Sequence, residues 1–120
     1  MKTDSMYKEE IMEIYLEKPN FGKLKEKTHS AKLKNPSCHD EFTIELNIKE
    51  GKIKEAGFYG EGCVISTIST ALFTKKIKGM NLEDAKKLTK KDIDKIIGIE
   101  VIQTKINCEL LPLEILRRMK

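Results

Sequence analysis

No stretch of the 120-residue chain approaches the run of about eighteen apolar residues that spans a bilayer, and the opening Met1-Lys2-Thr3-Asp4 lacks the apolar segment of a secretory signal. The expectation is a cytoplasmic protein with no membrane partner. Cysteine is scarce: three residues, Cys38, Cys63 and Cys108, an odd count too small for a disulfide scaffold. A reducing compartment keeps such residues as thiols, so they serve packing, metal binding or chemistry. Internal repeats, low-complexity tracts and a C-x-x-C pair are all missing. Charge of one sign is not in large excess either. Lys and Arg exceed Asp and Glu by 23 to 19, a scattered surplus of +4. No basic stripe of the kind that tracks a phosphate backbone stands out, so no nucleic-acid partner is expected. Lys75-Lys76 with Lys78, and Lys86-Lys87 with Lys90-Lys91, read as solvated helix faces.

What is present suits one compact domain over residues 1–120, with 39% hydrophobic content for a modest core. Tyr7, Ile11, Ile14 and Tyr15 share a helical face behind the capping residues Asp4-Ser5, predicting a helix over about residues 5 to 17. From Pro19 to Pro36 no period is sustained, and the segment reads as an irregular connection containing a solvated His29. Phe42, Ile44, Leu46 and Ile48 then alternate with Thr43, Glu45, Asn47 and Lys49 as a half-buried antiparallel strand. Glu50-Gly51 turns the chain, and residues 52–59 return as its partner with a bulge expected at Ala56-Gly57.

After Gly60-Glu61-Gly62, the stripe Val64, Ile65, Ile68, Ala71 and Leu72 predicts a central helix ending by Gly79. Asn81 with Asp84, and Thr89 with Asp92, open two brief helices, the second closing at Gly98. Val101 to Ile106 is β-branched enough to be extended. Pro112 is tolerated only in a first turn, so the last helix is expected to begin near Leu110 or Leu111. This order predicts an α+β domain: a small antiparallel sheet of about three strands with helices packed on one face.

All three cysteines fall at element boundaries, where loops on a rigid scaffold converge. Cys38 lies in Asn35-Pro36-Ser37-Cys38-His39-Asp40 before the alternating strand, Cys63 opens the central helix, and Cys108 precedes the last one. A helix start offers free N–H groups and a dipole that favour a thiolate at Cys63. Thiolates suit zinc and iron–sulfur clusters, and a tetrahedral site needs a fourth donor, which Asp40 can supply from the Cys38 loop. Buried packing thiols are the alternative, because free cysteine is among the most buried residue types.

Those motifs, Asn35-Pro36-Ser37-Cys38-His39-Asp40, Gly60-Glu61-Gly62-Cys63 and Lys105-Ile106-Asn107-Cys108, resemble in order and separation the three cysteine motifs of the IscU/NifU N-terminal iron–sulfur scaffold family, which includes SufU-like sulfur acceptors. Asn20-Phe21-Gly22 and Ile77-Lys78-Gly79-Met80-Asn81-Leu82 extend the resemblance over nearly the whole chain. It implies a scaffold with no substrate turnover of its own, holding a transient 2Fe–2S cluster, or zinc, on Cys38, Asp40, Cys63 and Cys108. Cys108 is then the candidate persulfide acceptor and Asp40 the labile ligand. The implied partners are a cysteine desulfurase, acceptor apo-proteins and a chaperone, with the chain a monomer or weak homo-oligomer.

Three positions depart from the family pattern. His39 stands where Gly is usual and offers either a loop conformation or a nitrogen ligand; Asn107 replaces the ligating histidine of the IscU branch; and residues 99–105 lack that branch's Leu-Pro-Pro-Val-Lys chaperone motif. The extra residues that the SufU branch carries before its last cysteine are missing too, which places the chain between the branches.

Overall fold

The computed structural model describes residues 4–35 and 40–120, with the backbone alone for residues 4–8. The architecture is the α+β one expected, a three-stranded antiparallel sheet in the order β1-β2-β3 with helices packed against it. Its elements are α1 (Asp4–Glu17), β1 (His29–Lys34), β2 (Glu41–Lys49), β3 (Lys52–Glu61), α2 (Val64–Lys76), α3 (Leu82–Lys86), α4 (Lys90–Ile97) and α5 (Ile106–Arg117). The β2–β3 hairpin closes through Glu50 and Gly51, both at positive φ, the conformation a two-residue turn requires. Phe42, Ile44 and Leu46 from β2, Ile53 and Phe58 from β3, Ile68 and Phe73 from α2, and Leu113, Ile115 and Leu116 from α5 form one core.

The third strand is not where β-branched composition put it. His29–Lys34 pairs with β2 as an edge strand, Ala31 and Leu33 facing inward and Ser30, Lys32 and Lys34 outward. His29 therefore begins a strand, half-buried, with its Nδ1 2.8 Å from the Thr28 hydroxyl. Residues 101–102 are irregular, 103–105 form a 3₁₀ turn, and α5 starts at Ile106. Pro112 thus sits inside a helix, where it removes the N–H that would bond the Cys108 carbonyl. Burial of the flanking Leu111, Leu113, Ile115 and Leu116 outweighs that loss, and the Ser69 hydroxyl of α2 donates to the neighbouring Glu109 carbonyl.

The bulge is also displaced. Register shifts between Asn47 and Ile48, which pair with Glu55 and Ile53, so Lys54 rather than Ala56-Gly57 is the extra residue. Nor is β2 half-buried: Thr43, Glu45 and Asn47 are as enclosed as the apolar face. The cause is the 20–28 segment. Gly22 and Asn20 bond Phe58 along the free edge of β3, and the chain then crosses the outer face of the sheet to reach β1 on the far side. Glu45 anchors that crossing, accepting from the Leu24 N–H (3.0 Å), the Lys27 ammonium (3.2 Å) and the Tyr59 hydroxyl (3.4 Å). Burial pushes the Glu45 carboxyl up, and these three donors together outweigh it and hold the group below its ordinary value.

α2 is enclosed nearly all round, so Ser66, Thr67, Ser69, Thr70 and Thr74 are buried alongside its apolar stripe. The Thr70 and Thr74 hydroxyls turn back and donate to the Ser66 and Thr70 carbonyls, at 2.7 and 2.8 Å, and Thr74 also accepts from the Asn20 amide at 3.4 Å. The caps at Asn81, Thr89 and Gly98 form as read from the sequence. No helix among the described residues is long and apolar enough to cross a membrane.

Candidate metal centre

The N-terminal ends of α2 and α5 meet beside the start of β2. Cys63 is the N-cap of α2: Ser66 donates its backbone N–H to the Cys63 sulfur at 3.4 Å, and its hydroxyl lies 3.6 Å from the same sulfur. Asp40, immediately before β2, turns its carboxylate onto that helix end. Its Oδ1 accepts the Cys63 N–H at 2.9 Å, and its Oδ2 is 3.9 Å from the Cys63 sulfur. Gly62 is required for the close approach, since a Cβ there would lie 2.4 Å from Ser66 Oγ and 2.6 Å from the Phe42 ring.

Cys108 enters from the other side, in the first turn of α5 rather than before the helix, and is fully buried. The Asn35 amide donates to its sulfur at 3.7 Å. The Asn35 N–H also bonds the Asp40 carbonyl at 2.6 Å, closing the base of the connection that carries Cys38.

Donor atoms of Asp40, Cys63 and Cys108 all lie within 4.8 Å of one another. Ligands around a single tetrahedral zinc stand about 3.5–3.8 Å apart, so a small contraction brings these three onto one ion. The donor set, two soft sulfurs and one hard oxygen, fits zinc or an iron site. Cys38 and His39 lie outside the described residues. His29 is at the opposite end of β1 from Asn35, and Asn107 is exposed. The sequence reading gave Asn35 and Ser66 no task of their own, yet each holds one of the two sulfurs; the Cys63-x-x-Ser66 spacing was the available signal, being that of an N-cap pair.

Glu109, next to Cys108, was missed altogether. It is fully buried on α5, and neither carboxylate oxygen has a hydrogen-bond partner among the described residues; Lys90 on α4 approaches only to 3.9 Å. Burial, and then the adjacent Asp94 carboxylate, push its carboxyl up to about 7, against the pull of Lys90. A folded-state value above the ordinary 4.5 means that the native state binds the proton more tightly, so stability falls as pH rises from about 4.5 through 7. Glu109→Gln keeps the shape and removes the ionisation. In metal-free protein it is expected to gain about 3 kcal/mol at pH 8 and nearly nothing at pH 4.5. Urea unfolding at both values checks this, and a gain independent of pH would refute it.

Fold and site together define a small α+β module in which two cysteine sulfurs and a carboxylate gather where two helix ends meet a sheet. Residues 6–118 match the family model of the NifU-like N-terminal domain, and the chain belongs to that family. It is 40% identical over 79 residues to the iron–sulfur cluster assembly scaffold protein IscU of Thermotoga maritima, a match covering 66% of this chain and 56% of that protein. It is 32% identical over 97 residues to the zinc-dependent sulfurtransferase SufU of Bacillus subtilis, covering 81% of this chain and 65% of that one. The chain therefore spans less than two thirds of the length of both relatives. The crystal structure of a putative iron–sulfur cluster assembly scaffold for the SUF system from Fervidobacterium islandicum superposes with a TM-score of 0.76 at 26% identity, covering 96% of this chain and 97% of that one. The similarity to both IscU and SufU agrees with the intermediate motif pattern.

Proposed function

We propose that residues 1–120 act as one iron–sulfur cluster assembly scaffold domain, which takes iron and desulfurase-derived sulfur, holds a transient 2Fe–2S cluster as cargo and passes it to acceptor proteins. The observation that carries this reading is the convergence of Asp40, Cys63 and Cys108 within 4.8 Å. Cys38, two residues before Asp40 in the sequence, is the third sulfur of the proposed set. Three thiolates and a carboxylate hold a cluster less firmly than four thiolates, which suits delivery.

In the sulfur-transfer step, the Cys108 thiolate attacks the terminal sulfur of a persulfide on the desulfurase. The new bond leaves a persulfide on Cys108 and releases the desulfurase cysteine as thiolate, with no net redox change. Conversion of that sulfane sulfur to cluster sulfide takes two electrons from an external thiol or a reduced electron-transfer protein. Because Cys108 is fully buried, the attack requires the desulfurase to open the pocket on docking. The activity is binding and transfer rather than turnover of a substrate of the chain's own.

The relationship to a relative named as a zinc-dependent sulfurtransferase favours a second reading, in which the same donors hold zinc and the chain serves only as persulfide acceptor for its desulfurase. Anaerobic reconstitution of the unaltered protein with iron, a desulfurase and cysteine separates the two. The scaffold is expected to develop visible sulfur-to-iron charge-transfer absorption and to lose it on adding an apo-ferredoxin. A colourless protein retaining one zinc and accepting persulfide sulfur establishes the second reading, and a colourless protein with neither refutes both.

A further inference from the structure

The lysine runs are mostly exposed, as expected, and one of them, Lys75-Lys76 at the end of α2, stands beside Lys95 of α4. α2 and α4 lean apart to leave a groove of about 560 Å³ whose apolar lining is Leu72, Leu88 and Ile96 and whose rim carries Lys75, Lys76 and Lys95. Among the described residues these three lysines form no ion pair. Asp92, also on the rim, is committed to the capping box of α4, accepting the Thr89 N–H at 2.8 Å.

The outer face of α1 has the opposite character. Met12 and Leu16 are 47% and 73% exposed, too open for core residues, and Glu9, Glu13 and Glu17 flank them, also exposed. Glu9, Met12, Glu13 and Leu16 follow the i, i+3, i+4, i+7 spacing of a single helical stripe. Met12 and Leu16 are four residues, about 6 Å, apart along the helix. The groove walls have the same span, Leu72 to Lys76 on α2 and Asp92 to Ile96 on α4.

We propose that α1 of a second copy of this chain docks in the α2/α4 groove, its Met12 and Leu16 on Leu72, Leu88 and Ile96 and its glutamates against Lys75, Lys76 and Lys95. This is helix-in-groove recognition with matched charge. Because α1 and the groove are different patches of one molecule, the contact is head-to-tail. Leu72 lies nine residues, about 13 Å, along α2 from Cys63, so the docked helix is centred away from the donor residues.

The test is sedimentation velocity of the metal-free full chain from micromolar to submillimolar concentration. Mass is expected to rise with concentration and to fall back in high salt, which screens the ion pairs. Leu16→Glu, and separately Lys75→Glu with Lys76→Glu, are expected to weaken association at least about tenfold. All three positions are exposed, and circular dichroism verifies that the variants fold. A Glu9→Lys, Glu13→Lys variant is expected to be monomeric alone and to associate when mixed with the Lys75→Glu, Lys76→Glu variant, because the mixture restores opposite charges at both contacts. A chain monomeric at every concentration, or an association indifferent to these reversals, overturns the proposal. So does a groove that stays vacant between copies while nuclear magnetic resonance shows it taking up a desulfurase.

Discussion

Serine in place of Cys63 or of Cys108 is expected to leave a folded chain whose affinity for zinc has dropped at least about a hundredfold, more than loss of a supporting contact produces. The fold should survive because serine is itself a favoured N-cap at position 63. At position 108 a hydroxyl still meets the Asn35 amide, and the exchange costs about 1 kcal/mol. Asp40→Ala should show the reverse. It removes a buried carboxylate that bonds the Cys63 N–H, costing about 1–3 kcal/mol of stability, and the resemblance to the scaffold family implies that it slows cluster release, followed as decay of the charge-transfer absorption on adding an apo-ferredoxin. Asp40→Asn, which keeps the accepting oxygen, should recover most of the stability. Competition with a chromogenic chelator gives the zinc affinities and urea midpoints give the stabilities. Cys63→Ser protein that keeps zinc as tightly as the unaltered chain would remove the site from this pocket.

The parts of the fold legible in the sequence are those where local signals agree with tertiary demand. The β2–β3 hairpin carries both strict alternation and turn residues, and the two N-caps, Asn81 and Thr89, carry their own hydrogen-bond partners three residues on. β1 was not legible, because His-Ser-Ala-Lys-Leu-Lys holds only two apolar residues and is extended on account of the β2 edge it pairs with. The reverse holds at residues 101–106, where β-branched side chains favour a strand but, among the described residues, the segment pairs with none of the three strands. Pro112 misplaced the start of α5 because a helix whose packing face is buried on both sides of a proline tolerates it, a tertiary effect that local rules omit.

The site divides in the same way. Asp40 and the cysteines announce themselves by type and by position at element ends. The contacts that hold them, Asn35 on Cys108 and Ser66 on Cys63, depend on sheet register and on the angle at which α2 meets α5, neither of which is written in spacing. Glu109 is the extreme case. Nothing in Asn107-Cys108-Glu109-Leu110 distinguishes a solvated glutamate from one sealed between α4 and α5.

Gly60→Ala is expected to be the most damaging single substitution outside the donor set, costing about 3–5 kcal/mol. Gly60 pairs with Phe42 near the end of β3 at φ +136, a conformation that L side chains rarely adopt. A Cβ there would lie 2.1 Å from the Glu41 carbonyl oxygen and 2.9 Å from the Phe42 Cα, both backbone atoms that a rotamer change does not move. Gly79→Ala separates the two causes. It too has positive φ, +91, but a Cβ there meets nothing within 4 Å, so only the backbone term of about 1–2 kcal/mol applies. Equal losses in the two variants, read from urea unfolding, would show that contact with β2 is not the cause. The damage should also reach the metal centre. Glu41 follows Asp40 directly, and Gly60 precedes Cys63 by three residues, so pushing β2 and β3 apart here separates the Asp40 carboxylate from the start of α2. Chelator competition on whatever Gly60→Ala protein remains folded should therefore show zinc held more weakly than in Gly79→Ala, although neither substitution touches a ligand.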